Sequence, residues 1–559
     1  MSLEGCSRFF VPLLLILAAV FVYEAPILWS PVLDFDDTAV MGPLAHINSI
    51  SNYIAAVSKG SVLDVQPVRD WIWICQFWVR EKLGWYNPQL VSVTLWTSLV
   101  LMVFRFLKKE GVAFGAALSF LMLVHPIAVN TVAWPTAQKH LFSVFFVWLA
   151  TWSWMRALES GNTLRGWLAM GFYALSIFSQ PINVLWIIWA SVYGIKILPR
   201  EKRPRLVPLL LGIALSLVCM VVNWLYYTSS IYVAASVGGK LITENGNGIV
   251  DRALIMGRYV YQFLVPLRSS IGPYVLDIST GLIGLAGGVA IAFSIFRSRI
   301  SFKQGHWLLF AGLPLLVVLL PRQQHTGWDT YLLTTLLGAV LALSTSIKVR
   351  GVFHNPWYRL VIIISLFGHA WLARNAANSW KSDSALWQAA VTRDPGPMAL
   401  NGLARVLFKE GSSESGCKIA DRLAAEFPKN PNLAYLLPKC IFEAPGLSND
   451  KKLIAFNQLT LQSPWSTYFK AVTFAKQKDF AQALELLRNA FAEDGEAFTK
   501  PFAEHITAVA AAWYVICMEA SDVTCETDIA RIRLAAPPES WSDSAFKEKI
   551  KQHRLAPPR

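Results

Sequence analysis

The residues in this chain best suited to chemistry are three aspartates in a span of four, Asp34, Asp36 and Asp37, within Leu33-Asp-Phe-Asp-Asp-Thr38. They stand out because only 15% of the residues are charged. A carboxylate in such a place can take a proton from a hydroxyl, hold a cation or position a sugar. It can equally be a solvated turn at the end of a helix, and on the residues alone the two readings weigh about the same. Three histidines, His125, His140 and His325, fall in the same class of candidates, but their spacing across separate loops matches no metal-ligand motif and favours structural or hydrogen-bonding roles.

What surrounds the aspartates is a membrane protein. The 559 residues are 54% hydrophobic, and the mean hydropathy is +0.42. Apolar runs long enough for a hydrocarbon core of roughly 30 Å recur over the first two thirds of the chain. The net charge of +14 does not mark a nucleic-acid binder. It gathers in short loops (Arg105/Lys108/Lys109, Arg200/Lys202/Arg203/Arg205, Arg297/Arg299/Lys303 and Lys348/Arg350), where it serves as cytoplasmic anchors under the positive-inside rule. Arg8 precedes the first apolar run, and no small-residue cleavage site follows it, so the run is expected to stay as a span.

The expected spans are 9–29, 90–106, 111–129, 139–156, 164–180, 182–198, 206–226, 276–297, 305–320, 329–347 and 357–374. Eleven crossings from a cytoplasmic N-terminus leave the C-terminus outside and every basic loop inside. The segment Asp251–Leu267 fits this count only as an interfacial or re-entrant helix, with Arg252, Arg258 and Arg268 at headgroup level. Two long external loops result, about 30–89 and 227–275. The first holds the aspartates and the aromatic stretch Trp71-Ile-Trp-Ile-Cys-Gln-Phe-Trp78, and the second holds Glu244-Asn-Gly-Asn-Gly248.

The expected fold is all-α: a polytopic membrane domain over 1–376 and a soluble α-solenoid over 377–559. With Pro464 as position one, Ala471, Phe474, Ala483, Leu487 and Ala490 fall near the small and large packing positions of a tetratricopeptide repeat of about 34 residues. A looser copy spans Met398 to Pro428 through Gly402, Ala404, Leu407, Ala420 and Ala424. One repeat cannot bury its own face, so about three or four helix pairs are expected. Cys417, Cys440, Cys517 and Cys525 lie in this part. They form either two disulfides, paired by proximity as 417–440 and 517–525, or buried thiols.

Phe35-Asp36-Asp37 in the first external loop resembles the catalytic-loop signature of GT-C glycosyltransferases. The closest resemblance is to the branch with C-terminal tetratricopeptide repeats, the transmembrane O-mannosyltransferase-like proteins and their bacterial relatives. Gln66-Pro67-Val-Arg69 resembles the family's Arg-Pro segment. His125-Pro126, Val132-Ala-Trp134 and Lys139-His-Leu141 resemble its next block. Arg258-Tyr-Val-Tyr261 through Pro266 and Tyr274 resembles its interfacial helix, and Gly327-Trp-Asp-Thr-Tyr331 stands where the family has Glu-Arg-Tyr.

The resemblance implies transfer of a sugar, with inversion, from a polyprenyl-phosphate carrier to a protein hydroxyl. Asp36 would be the base and Asp37 its neighbour, two adjacent carboxylates that raise each other's proton affinity. Lys139 and His140, with Arg69, Arg258 and Arg322, would meet the donor phosphate. A divalent ion, magnesium or manganese, stays open beside the carboxylates. The repeats would recruit the acceptor protein, and the setting would be a bacterial inner membrane with the C-terminal domain in the periplasm. The chain departs from the family at Asn130, Gln138, His140, Gln180-Pro181 and Thr330, where charges become neutral. These departures support the alternative of a degenerate GT-C-like scaffold that recruits an envelope-assembly partner. A transporter would show two similar halves and polar residues within its spans.

Overall fold

The computed structural model describes residues 3–29, 41, 44–45, 47–58, 65–84, 87–112, 114–199, 206–228, 249–265, 278–297, 302–318, 332–345, 355–393, 395–428, 430, 432–459, 463–493, 506–535 and 546–551. All regular structure among them is helical. The chain divides into two compact units, 1–396 and 397–559.

In the first unit, α1 (Leu3–Trp29) carries Pro12 and Pro26 and kinks at Tyr23. Pro26 explains the kink, because it offers no N–H to the preceding turn and its ring crowds the carbonyl four residues back. A short α2 (Ile50–Ser58) and then α3 (Pro67–Leu83) follow. Pro67 stands at the first position of α3, and Gly84 ends the helix with φ 65 while donating to the Arg80 carbonyl. α4 (Pro88–Lys109) is capped by Asn87, which also donates to the Ile27 carbonyl at 2.6 Å and so fastens α4 to the end of α1. Lys108 and Lys109 in its last turn suit the negative end of the helix.

α5 (Gly115–Val124) and α6 (Pro126–Ala133) form a pair bent by 54° at His125-Pro126. A short turn over Pro135–Ala137 leads into α7 (Gln138–Ser160), then α8 (Thr163–Ser179), α9 (Trp186–Ile197) and α10 (Pro208–Thr228). Ser143 of α7 and Ser176 of α8 meet at 3.1 Å, with Asn183 donating to both, so the polar groups between these helices are mutually bonded.

α11 (Ile249–Leu264) packs tightly on α12 (Ile278–Arg297). A Cβ at Gly257 would overlap the Gly281 carbonyl, and one at Gly284 would overlap that of Gly257, so only glycine permits this crossing. α13 (Phe302–Val318) lies against α14 (Leu333–Ser344), where Thr335 donates to the Ala311 carbonyl at 3.0 Å. α15 (Pro356–Asn378) buries Ala370, Ala373, Ala376 and Ala377 and exposes Val361, Ile364, Phe367 and Trp371, a face suited to lipid.

Helices occupy each of the eleven segments expected to span. Four of them, Phe10–Leu28, Pro88–Lys109, Pro135–Ser160 and Pro356–Lys381, are long and apolar enough to cross a bilayer, or five if the bent α5–α6 pair counts as one span. In the other apolar helices the apolar stretches among the described residues are shorter, at 10–17 residues. The connector after α15 stays with this unit. Trp380 is fully buried, stacks on Trp134 and donates to Asn130 at 3.2 Å, so the unit continues through α16 (Asp383–Arg393) rather than stopping at 376.

Among its described residues the second unit contains four successive helix pairs: α17 (Pro397–Lys409) with α18 (Ser413–Glu426), α19 (Leu433–Glu443) with α20 (Asn449–Gln458), α21 (Pro464–Lys476) with α22 (Phe480–Glu493), and α23 (Ile506–Glu519) with α24 (Cys525–Ala535). Of the small residues read from the sequence, Gly402, Ala404, Ala420, Ala471 and Ala483 are buried, as is Leu487, while Ala424 and Ala490 are half-buried. Ser463 caps α21 with Pro464 at its first position, which fixes where the third pair begins. Arg488 of α22 donates to Asp528 at 2.8 Å and to Asp522 at 2.9 Å, tying α22 to α24 and the turn before it.

The four cysteines form two disulfides, Cys417–Cys440 joining α18 to α19 and Cys517–Cys525 closing the turn between α23 and α24. Their Cα separations are 5.4 and 5.6 Å. Changing Cys417 and Cys440 to serine together is expected to lower the stability of this unit by about 3 kcal/mol, the loop-closure value for such a span. Calorimetry of the full chain should show the second unit melting earlier under oxidising conditions, and an unchanged midpoint would show that this bond contributes no stability.

Candidate functional site

Asp34, Asp36 and Asp37 lie outside the described residues, as do Arg322, His325 and Thr330. The described candidates centre on the segment from His125 to Leu141.

That segment is shaped locally. His125 caps α6, its ring nitrogen accepting from the Ile127 N–H at 3.3 Å, and Pro126 at the first helical position fixes the bend. α6 is buried on all sides: Ile127, Ala128, Val129, Thr131, Val132 and Ala133 are inaccessible, and Asn130 is nearly so. α7 then starts with Gln138, Lys139 and His140, of which Lys139 is half-buried and His140 is buried.

Two of the expected donor-binding elements reach this block. α3 reaches it through Trp73 and Gln76, whose side chains donate to the Gln138 Oε1 at 2.9 and 3.2 Å. α11 reaches it through Ile255 and Tyr259, which pack with Ile127, while Phe263 stacks on His125 at 5.6 Å. The elements that carry Arg69 and Arg258 therefore both pack on the segment that leads into Lys139 and His140.

Their individual engagements differ. Arg69 is fully buried, pairs with Asp70 through Nε at 2.7 Å and a terminal nitrogen at 2.5 Å, and lies over the Trp73 ring at 4.5 Å. Asp70 also accepts from the Tyr53 hydroxyl at 2.7 Å and the Gln66 N–H at 3.0 Å. Burial pushes the Asp70 carboxyl above the usual range, while Arg69, Tyr53 and Gln66 pull against that shift. Arg258 donates to Thr280 at 2.7 Å, so part of its guanidinium holds α11 to α12.

Two of the neutral departures, Gln138 and Asn130, have a physical account. Gln138 accepts from Trp73 and Gln76 and donates to the Pro88 carbonyl at 2.6 Å and to Ser92 at 3.0 Å. Both ends of its amide are engaged, joining α3, α4 and α7, and an arginine there could not accept from two donors. Asn130 likewise accepts from Trp380. Gln180 is buried too, but the bond it accepts from Ser143 at 3.0 Å is to its backbone carbonyl and says nothing of the side chain.

Sequence reasoning missed Asp70, Tyr53 and Trp380. Asp70 left one signal, a charged Arg-Asp pair in an otherwise apolar aromatic stretch, where burial demands a partner. Tyr53 and Trp380 left none, because their partners are distant in sequence. Among the described residues, no three histidine, cysteine or carboxylate side chains gather as metal ligands. The chain matches no family model, no curated protein and no solved structure.

Proposed function

We propose that this protein is a membrane glycosyltransferase of the GT-C kind, moving a sugar from a polyprenyl-phosphate carrier to a protein hydroxyl. Asp36 takes the acceptor's proton as its oxygen attacks the anomeric carbon. The bond to the carrier breaks with inversion, and the electron pair leaves on the lipid phosphate. Lys139 and His140, with Arg258 and Arg322, face that phosphate, and Asp37 supports the base. The observation that carries the reading is the meeting of α3, α6, α7 and α11 around His125–Leu141, which gathers segments that resemble family motifs yet lie far apart in the sequence.

Three further parts belong to this proposal. Eleven spans with the N-terminus inside are supported by a helix in every expected segment. A tetratricopeptide array that recruits the acceptor is supported by four helix pairs with buried small residues. A periplasmic second unit on a bacterial inner membrane is supported by its two disulfides, which belong in an oxidising compartment. Mass spectrometry of envelope proteins from cells with and without the chain tests the function. A hexose or pentose increment on serine or threonine that vanishes with the chain is expected, and identical glycoproteomes would overturn it.

A second reading, a GT-C-like scaffold without activity, is favoured by one specific observation. Gln138 and Asn130 stand where the family carries charge, and both are committed to internal hydrogen bonds, while Arg69 is committed to Asp70. The Asp36 variant described below separates the two readings.

A further inference from the structure

The second unit carries an excess of positive charge at one point. Lys439 of α19, Lys452 of α20 and Lys476 of α21 all bring their ammonium groups to the Phe442 ring, at 6.0, 6.0 and 4.3 Å from its centroid. Lys439 also lies 5.6 Å from the Phe469 centroid. Three cations from three helices around one ring repel one another, and both Lys452 and Lys439 act against the charge on Lys476.

Local contacts offset only part of this. Glu443 pairs with Lys439 and accepts from Ser413, and among the described residues it is the carboxylate that acts on Lys476. Lys452 donates to the Phe442 carbonyl at 2.7 Å and caps the end of α19. Asp450 is engaged by Gln477 instead, at 2.6 Å. Lys476 makes no hydrogen bond or ion pair with any described residue, and its ammonium is held below the usual lysine range by lost hydration, then by Lys452 and Lys439, against Glu443. Beside the cations lies an aromatic row: Phe442 meets Phe469 at 5.1 Å, Phe469 meets Trp465 at 5.8 Å, and Trp465 meets Tyr435 at 4.7 Å.

We propose that Lys439, Lys452 and Lys476 form a carboxylate-binding site for an acidic segment of a protein partner. The carboxylates would replace the missing countercharge, and the half-buried Tyr435 and Phe442 would receive apolar side chains of the same segment. The aromatic row favours a peptide over a lipid headgroup, because a headgroup offers charge without neighbouring side chains at peptide spacing. The site adds a partner chemistry to the second unit and does not depend on sugar transfer.

The test is fluorescence anisotropy with a fluorescein-labelled deca-glutamate peptide and the full chain in nanodiscs of zwitterionic lipid. Deca-glutamate should bind, deca-glutamine should not, and binding should weaken as salt rises. Lys476→Gln, which removes no hydrogen bond between described residues, should weaken binding about fivefold, and the triple change to glutamine on the order of fiftyfold. Arginine at the three positions should retain binding, while Lys418→Gln with Lys547→Gln should leave it unchanged. Equal binding by the triple glutamine variant would overturn the proposal. So would lysine-dependent binding of anionic vesicles without binding of the peptide, which would assign the cations to lipid. Because no transfer is measured, failure here leaves the transferase reading standing.

Discussion

Replacing Asp36 with asparagine is expected to lower glycan transfer by roughly 10²–10⁴-fold, the usual loss when a positioned general base is removed. Asparagine keeps the size of the side chain and its ability to accept a hydrogen bond but cannot take the acceptor's proton. The protein should therefore reach the membrane at its normal level, and its melting behaviour should be unchanged. Asp37→Asn is expected to cost less, because a neighbour that supports the base can be replaced in part by water. In-vitro transfer of a labelled sugar from its polyprenyl carrier to a peptide measures both. Unchanged transfer in the Asp36 variant would remove it as the base. If cells relying on the protein also behave normally with that variant, the scaffold reading is favoured over the transferase.

The helices were legible in the sequence because hydrophobic length and proline-asparagine punctuation are local signals. Asn87-Pro88 and Ser463-Pro464 announce helix starts from their own residues, and both are starts. The candidate site was legible in another way. Segment order and resemblance picked out Arg69, Lys139, His140 and Arg258, and the helices that carry Arg69 and Arg258 pack on the segment that leads into Lys139 and His140. What could not be read was the use made of each charge. A neutral Gln138 in a row of expected cations reads as a missing phosphate ligand, yet its amide joins α7 to α3 and α4, whose bonded residues lie far back in the sequence. Arg69 reads as a free cation until its neighbour Asp70 is seen turned onto the same guanidinium. Hydrogen-bond partners chosen by tertiary packing leave no periodicity behind, so sequence could place these residues but not assign their bonds.

Arg69 is where the two kinds of evidence meet, and a pair of variants separates them. Arg69→Met should destabilise the first unit by about 3–5 kcal/mol, because it leaves the Asp70 carboxylate buried without its counter-ion. The deficit should depend on pH in a definite direction. Burial already raises Asp70, and losing Arg69 removes the strongest opposing influence, so the folded-state value climbs further. A carboxyl raised on folding favours the folded state while it is protonated and loses that contribution as pH rises through the raised value. The variant should therefore come closest to wild-type stability in mild acid and fall furthest behind at neutral and higher pH. Adding Asp70→Asn removes the buried charge and keeps an oxygen for the Tyr53 hydroxyl and the Gln66 N–H, so the double variant should recover most of the loss at neutral pH. Thermal melts across pH measure this, and a double variant as unstable as the single would refute the ion-pair account. Transfer activity then decides the second role. With the fold restored, an Arg69 that serves only Asp70 leaves donor use intact, whereas a raised KM for the lipid-linked sugar in a stable double variant would place the guanidinium on the donor phosphate as well.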